Sequence, residues 1–465
     1  MKVILGGYNV DAGILEELSD SGREDVTPEV ISASYARISR DPRSVTTLRE
    51  EAATEVEKAR RSNRTIVFDM GHASIAEHAV FNIDIIGVSR LAVEAIERFR
   101  LASFTEKSQR YMRLEKDFVV PREFRKTKHE KEFSKLMERM AKEYEKLYAR
   151  ILDSSEDEYA AKEDARYLMP LAASAQLGMT LNAREAEYMI SRLASHPLDE
   201  LKEFSRRLSE VTRKKTPSLI RYHEPTEYFL NLHSVRSEIA DMAGESRKRT
   251  QPGVKLVDVT PHADSHLAAG LIFSSADISY VEALIKAKRM STRGLAELIR
   301  KTFSKISPHE SVWREFESVH FIYELVVSAS CFAQLKRHRM ATIITQPYSL
   351  SLGISIPPTM RKARVVGAMR KAVAHSEKLY RKLSRVEPEA AQYVLLNAHR
   401  RRVLVDINLR ELYHFSRLRS DRHAQWEIRE ISEQMCKLAS KSVPLGSMLL
   451  GGKDAFEKKR ARAGV

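Results

Sequence analysis

Two short runs in the sequence place arginines at a spacing that could bind an anion. These runs are Arg337-His338-Arg339 and Arg98-Phe99-Arg100. In extended backbone alternate side chains point to one face, so each arginine pair could fork around a phosphate or a carboxylate. Each run also follows an apolar segment of helical character, and cations at a helix C-terminus complement the helix dipole. The local pattern alone therefore allows both an anion site and a simple charge cluster.

A second pattern is an asparagine followed three residues later by a glutamate, at Asn182 and at Asn408. This spacing is typical of a capping box, which satisfies unpaired backbone donors at a helix start. Both copies also place an arginine, Arg184 or Arg410, in the first turn, where the helix dipole disfavours a cation. A phosphate or pyrophosphate bound there would reverse that preference, so we expect an anion site at these helix starts.

A third run, Glu106 to Tyr111, contains side chains suited to a phosphorylated ligand. Ser108 and Arg110 could bind phosphate oxygens, and Glu106 could orient a hydroxyl group. The sequence contains no G-x-G-x-x-G, no Walker loop and no H-E-x-x-H, and we predict no metal site. Cys331 lies among apolar residues and is predicted to be a small buried hydrophobe, not a nucleophile.

These motifs recur in one order, which indicates two copies of one domain. The offset is 239 between Arg98 and Arg337 and 226 between Asn182 and Asn408. We predict domains at 1–245 and 246–465, with the junction near the Pro/Gly-bearing stretch 250–253. Each copy is predicted to be α+β, mostly helical with a small antiparallel sheet. Predicted helices are 88–96, 123–151, 319–335 and 361–393, and predicted strands lie near 2–5, 118–120 and 354–356.

The composition is that of a folded globular protein, with 43% hydrophobic and 30% charged residues among 465. Two cysteines and the absence of a secretory leader favour a reducing, cytoplasmic compartment. The longest apolar stretch carries His320 and Glu324, so no membrane span is expected. A net charge of +15 implies attraction to phosphates. With 7% aromatic residues and no recognisable binding module, phosphorylated small molecules are favoured over nucleic acid.

The run Arg98 to Tyr111 resembles the long signature of the flavin-dependent thymidylate synthases, and Asn408 to Ile428 resembles their C-terminal signature. The resemblance implies methylation of dUMP to dTMP with FAD as cofactor. NADPH and methylenetetrahydrofolate would be the co-substrates. It further implies an assembly of four domains, which a tandem chain could build as a homodimer forming a pseudo-tetramer.

The same resemblance implies a role for individual residues. Arg419 would activate the uracil ring and is the implied catalytic residue. The residues implied to bind dUMP are Gln334, Arg337, Glu106, Ser108, Arg110 and Arg166. Those implied to bind FAD are Ser74, Ser311, His338, Arg339, Asn408, Arg410, His414, Asn182 and Arg184.

The two repeats have lost different parts of this site. At the positions of Gln334 and Arg419, the first repeat has Ala95 and Leu193. At the positions of Glu106, Ser108, Arg110 and Arg166, the second repeat has Thr345, Pro347, Ser349 and Gln392. Random loss would not be expected to sort residues by the side of the site they serve. Our hypothesis is that active sites form between unlike repeats, two intact and two degenerate in a dimer.

Two other functions stay open at the level of the sequence. Phe99 replaces the histidine of the family signature, which would suit a catalytically degenerate relative that binds nucleotide or flavin. The positive net charge would suit a nucleic-acid-binding protein. A purified chain without flavin absorbance would support the degenerate relative. Affinity for RNA or DNA that survives high salt would support the nucleic-acid-binding protein.

Overall fold

The structure is a computed structural model, and it describes residues 1–11, 27–38, 41–110, 117–244 and 253–465. Each repeat contains one four-stranded antiparallel sheet, which confirms the predicted α+β class with two mostly helical copies. The sheets have the orders β1-β2-β4-β3 and β5-β6-β8-β7. The strands are β1 Lys2–Tyr8, β2 Val80–Ser89, β3 Ser103–Glu106, β4 Ser174–Asn182, β5 Gly253–Val259, β6 His320–Ser328, β7 Thr342–Thr345 and β8 Arg400–Asn408.

Helices account for most of the remaining described residues. Those of the first repeat are α1 Glu29–Arg37, α2 Val45–Thr54, α3 Val56–Arg64, α4 Arg90–Ile96, α5 Lys128–Ser155, α6 Glu158–Ala165, α7 Ala183–Ala194, α8 Asp199–Arg213 and α9 Glu227–Ala243. Those of the second are α10 Ala263–Ser275, α11 Tyr280–Arg289, α12 Thr292–Thr302, α13 Ala329–Leu335, α14 Pro358–Lys362, α15 Val366–Leu383, α16 Pro388–Ala391, α17 Leu409–Arg419, α18 Trp426–Ser442 and α19 Phe456–Ala463. None of these described helices is long and apolar enough to cross a membrane.

The predicted helix over 319–335 is wrong in its first part, which forms strand β6. This segment is rich in β-branched and aromatic residues, and its side chains alternate between more and less buried positions up to Leu325. The helix α13 begins only after Ser328, whose side chain accepts a hydrogen bond from the Cys331 backbone N–H. Val88 and Ser89 likewise belong to β2 and not to the predicted helix over 88–96.

Four other predicted elements can be compared with the structure. The strand predicted near residues 2–5 is confirmed as β1. The two predicted near 118–120 and 354–356 are single bridges, from Phe118 to Ala173 and from Ile354 to His399. The long charged segment of the second repeat is divided among α14, α15 and α16, because proline residues begin the first and the last of these helices.

The chain forms two compact units that do not coincide with the repeats. The first comprises Met1–Arg247 and Gly367–Leu395, and the second comprises Lys248–Val366 and Leu396–Val465. In the first unit the Tyr393 hydroxyl donates to Glu200 over 2.6 Å, and the Leu171 N–H donates to the Leu395 carbonyl over 2.7 Å. The division at 245/246 stays a prediction about the repeats, and residues 250–252 of the predicted junction lie outside the described residues.

Helix α17 shows how the second unit separates its core from its polar side chains. Leu409, Leu412, Tyr413 and Phe415 are buried in the core. His414 is exposed, while Arg410 and Arg419 are partly exposed. The apolar positions follow the helical period, so the same helix packs on the core and presents polar groups elsewhere. Cys331 is buried among apolar residues, as predicted.

Candidate functional site

A polar cluster in the second unit lies between the end of α13, the turn that follows it and the end of α17. Arg419 donates from Nε to His338 Nε2 over 3.0 Å and from Nη1 to Gln334 Oε1 over 3.1 Å. Its Nη2 also donates to the Gln334 carbonyl over 3.3 Å. Three residues that the sequence assigned to a ligand site are therefore in direct contact.

The proton on His338 is placed by its two neighbours. Because Nε2 accepts from Arg419, Nδ1 carries the proton and donates to Glu411 Oε1 over 3.0 Å. Burial, and then the positive charge of Arg419, holds the pKa of His338 well below 6.5. Burial raises the pKa of Glu411. A neutral imidazole thus fixes the orientation of an arginine that stays charged, which is a suitable donor for negative charge developing on a ligand.

The side chains of His338, Glu411 and His414 lie close enough to be considered as metal ligands, within 4.8 Å of one another. The donor set does not fit a metal, because the Nδ1 proton occupies the position where a ligand lone pair would be needed. A bound cation would also be repelled by the nearby Arg419. We therefore assign no metal to this cluster.

The two predicted helix starts each contain half of a capping box. Asn182 accepts from the Glu185 N–H and Asn408 accepts from the Glu411 N–H, both over 2.8 Å. The return bond is replaced in both copies: Glu411 accepts from His338, and Glu185 accepts from the Leu101 N–H. The glutamates therefore connect the helix start to the arginine-bearing turn, which the capping motif did not predict.

The arginines in the first turns have acidic partners in the chain. Arg410 Nη1 donates to Glu317 over 2.8 Å, and Arg184 Nη1 donates to Glu77. These carboxylates supply the negative charge that the helix start favours. An additional bound anion stays a prediction. The exposed Ser74 precedes Glu77 by three residues, and the exposed Ser311 adjoins Val312, whose carbonyl accepts from Arg410 Nε over 3.0 Å.

The turn Lys336–Met340 is not extended strand, as the anion-fork interpretation required. His338 is buried, while Arg337 and Arg339 on either side of it are exposed. Exposed and buried side chains still alternate in this turn, so the two arginines are exposed to solvent and the histidine packs in the interior.

The first repeat builds the same arrangement from apolar side chains. The rings of Phe99 and Tyr188 lie 5.5 Å apart, and those of His338 and His414 lie 5.8 Å apart at the matching positions. Leu193, which matches Arg419, is 3% exposed. Phe99 and Leu193 are buried, and their side chains cannot form the hydrogen bonds that His338 and Arg419 form in the second unit.

A second polar cluster lies in the first unit around Glu163. Arg110 donates from Nε to the Glu163 carboxylate and from Nη2 to the Tyr159 hydroxyl. The buried Arg166 donates from Nε to the Glu163 carbonyl over 3.0 Å, and burial lowers its pKa. Ser108 Oγ accepts from the Arg110 N–H over 3.1 Å. The predicted Ser108, Arg110 and Arg166 are thus brought together.

The sequence did not identify the acidic and aromatic residues that hold this cluster. Tyr159 and Glu163 are one turn apart on α6, and Glu163 is three residues before Arg166, a spacing that places side chains on one helix face. This spacing is visible in the sequence and could have identified Tyr159 and Glu163 as neighbours of Arg166. The Glu163 carboxylate accepts from Arg110 and the Glu163 carbonyl accepts from Arg166, so two guanidinium groups meet at one glutamate. This excess of positive charge suits a phosphate.

The side chain of Glu106 on β3 is buried beside Arg90, with 3.6 Å between Arg90 Nη1 and Glu106 Oε1. Arg90 is also 3.9 Å from Glu94. The second repeat has Ala329, Ala333 and Thr345 at these three positions, so the ion-pair network is confined to the repeat that keeps Glu106. Glu106, Ser108, Arg110 and Arg166 belong to the first unit, and Gln334, Arg337 and Arg419 belong to the second.

A buried glutamate fixes the start of the short helix in each unit. Glu427 accepts from the Ser328 N–H over 3.1 Å, from Ser328 Oγ and from Ser355 Oγ over 2.7 Å. Glu200 accepts from the Ser89 N–H over 2.7 Å and from Ser89 Oγ over 2.6 Å. Since Ser328 caps α13, Glu427 positions the helix that carries Gln334.

Replacing either of these glutamates by glutamine is expected to destabilise the unit that contains it. Each amide leaves at least one buried donor without its acceptor, at a cost of about 1–3 kcal/mol. The family resemblance assigns Gln334 to dUMP, so we also expect Glu427→Gln to weaken dUMP binding measured by calorimetry. Unchanged dUMP affinity in a folded Glu427→Gln chain would contradict a positioning role for Glu427.

The buried neutral His338 predicts a pH dependence of stability. Because its folded pKa is below 6.5, its contribution to stability is present above pH 6.5 and is lost as the pH falls towards the folded pKa. One such proton gives a slope of up to about 1.4 kcal/mol per pH unit. Urea unfolding between pH 7 and 5.5 should show a smaller slope for His338→Gln than for the unmodified chain. Glu411, whose raised pKa acts in the opposite direction, is present in both proteins.

Comparison with known proteins gives a family model that matches two regions of the chain. The model of the family described as "Thymidylate synthase complementing protein" matches residues 24–218 and 255–445, which is more than half of the chain. A UPF0159 protein of Chlamydia muridarum is 26% identical over 417 residues, covering 82% of this chain and 79% of that protein. A flavin-dependent thymidylate synthase of Pyrococcus horikoshii is 35% identical over 156 residues, covering 32% of this chain and 61% of that protein.

A solved structure adds a more distant similarity. The flavin-dependent thymidylate synthase of Helicobacter pylori, described as complexed with FAD and dUMP, is 20% identical. The match covers 48% of this chain and all of that one, with a TM-score of 0.33. The match of one family model to two regions of the chain supports a tandem duplication.

Proposed function

Because the chain belongs to the thymidylate synthase complementing protein family, we propose that it is a flavin-dependent thymidylate synthase that methylates dUMP to dTMP. The observation that carries this proposal is the contact of Arg419 with Gln334 and His338. This contact holds the permanent positive charge of Arg419 beside Gln334, which the family resemblance assigns to the substrate, and His338, which it assigns to the flavin. FAD is the proposed cofactor, and NADPH and methylenetetrahydrofolate are the proposed co-substrates.

Two clusters would divide the recognition of dUMP. Arg110 and Arg166 would bind the phosphate, since both guanidinium groups meet at Glu163. Ser108 and Glu106 would complete that side. Arg419, with Gln334 and Arg337, would bind the uracil ring and stabilise negative charge that develops on it.

The residues at the start of α17 are chemically suited to a flavin dinucleotide. Asn408 caps this helix, Arg410 lies in its first turn, and Ser311 adjoins Val312, whose carbonyl accepts from Arg410. The backbone donors of a helix N-terminus favour a diphosphate. Arg339 is exposed next to the buried His338, and His414 is exposed on α17. Ser74, Asn182 and Arg184 repeat the motif in the first unit. The bound flavin would supply the redox chemistry, and the protein would supply position and charge.

Each repeat keeps only one side of the substrate site, so we propose that an intact site needs one side from each kind of repeat. A homodimer would then contain two intact and two degenerate sites. The apolar Phe99 and Leu193 favour permanent loss of one side in the first repeat. A degenerate relative that binds nucleotide or flavin without catalysis is the second candidate, and the same two residues favour it.

Absorbance of the purified chain with and without dUMP tests this proposal together with a dTMP assay. A synthase should show a flavin spectrum that dUMP perturbs, and it should form dTMP only with methylenetetrahydrofolate and a reductant. Flavin binding without dTMP formation would favour the degenerate relative. A colourless protein that does not take up added FAD would exclude a flavin enzyme.

A further inference from the structure

Helix α9 is a long helix with almost no packing against the rest of the first unit. None of its described side chains is buried, although the helix has 17 residues. The ring contacts of its described side chains lie in the first turn, where Phe229 lies 6.3 Å from the Tyr188 ring and 4.6 Å from the Arg192 guanidinium. An isolated helix of this length that contains serine, valine and asparagine is marginal in water. We therefore expect another element to pack against this helix and stabilise it.

Five apolar residues of α9 form a stripe along one face of the helix, while the exposed Leu230 lies on the opposite face. Tyr228, Leu232, Val235, Ile239 and Met242 follow one another at alternating spacings of four and three residues. Tyr228 is 74%, Ile239 58% and Met242 87% exposed. An average spacing of 3.5 residues is the pattern of a two-stranded coiled coil. The stripe thus fits another helix with the same repeat.

A second copy of this chain necessarily carries that matching stripe, and the flanking charges define the orientation. At 3.6 residues per turn, Arg236 lies on one flank of the stripe, and Glu227 and Glu238 lie on the other. In a parallel pair each flank faces the opposite flank of the second copy, so arginine meets the acidic side. In an antiparallel pair the acidic flanks would face each other, which is unfavourable.

We propose that α9 is a dimerisation helix that forms a parallel two-stranded coiled coil with α9 of a second copy. The stripe supplies the buried seam, and Arg236 pairs with the acidic flank across it. This inference does not depend on the proposed enzymatic function, because it rests on the exposure and spacing of residues on one helix.

Disulfide crosslinking of the full chain tests both the pairing and its orientation. In a parallel pair the two copies of residue 242 lie opposite each other, so Met242→Cys should give a covalent dimer under mild oxidation. In an antiparallel pair these positions lie at opposite ends of a helix about 25 Å long. Ser237→Cys, on the opposite face of α9, is the matched control. The effective concentration in the coiled coil should make Met242→Cys crosslink at least about tenfold faster.

A second pair of variants tests the seam. Adding Val235→Glu and Ile239→Glu to Met242→Cys should abolish crosslinking, because two charges would be buried in each helix. Adding Leu230→Glu and Ser237→Glu, on the opposite face, should leave it unchanged. The inference is overturned if Met242→Cys does not crosslink faster than Ser237→Cys, or if the seam charges leave its rate unchanged. Circular dichroism of each variant checks that the remainder of the chain is folded.

Discussion

An equimolar mixture of Arg110→Ala chains and Arg419→Ala chains, unfolded and refolded together, is expected to form dTMP although neither chain does so alone. Each substitution removes a preorganised charge from a different side of the substrate site, which typically costs about 10²–10³ in rate. If the sites form between chains, half of the dimers are mixed, and each mixed dimer has one intact site. Activity should therefore return to about one quarter of that of the unmodified chain.

The control is each variant unfolded and refolded by itself, with the circular dichroism spectrum as a measure of folding. The unmodified chain treated in the same way defines full recovery. If both arginines of a site come from one chain, the mixture will stay inactive, because every site then contains one alanine. An active Arg110→Ala chain would instead remove the first cluster from the substrate site.

Leu193→Arg, which introduces the arginine that the first repeat lacks, is expected to destabilise the first unit by about 3–5 kcal/mol. Leu193 is 3% exposed, and the positions that would match Gln334 and His338 hold Ala95 and Phe99. A guanidinium at this position would be buried without acceptors. Urea unfolding followed by fluorescence measures the change in free energy of unfolding.

Two controls separate charge burial from simple crowding. Leu193→Met has a comparable length without the charge, and it should cost less than about 1.5 kcal/mol. Ala95→Gln and Phe99→His, added to Leu193→Arg, restore the partners and should recover part of the loss. Unchanged stability of Leu193→Arg alone would mean that the matching pocket of the first repeat is open to water, contrary to the described packing.

The sequence by itself determined the family, the duplication and the α+β class. These depend on residue identities at short spacings and on the order in which they recur, and both are visible along the chain. The signature also directed attention to His338, Arg419 and Arg110, which the structure places in two polar clusters. The assignment of these residues to substrate or flavin stays a prediction.

Only the tertiary structure decided which side chains form hydrogen bonds with those residues, and which segments form helices or strands. Glu411 is 73 positions from His338, and Glu163 is 53 positions from Arg110, so no local pattern connects either pair. The apolar stretch over 319–335 was compatible with helix or strand, and pairing with β5 and β8 selected a strand for its first part. Likewise, the spacing on α9 is visible in the sequence, but only packing reveals that its stripe is uncovered, because burial depends on what the remainder of the chain places against it.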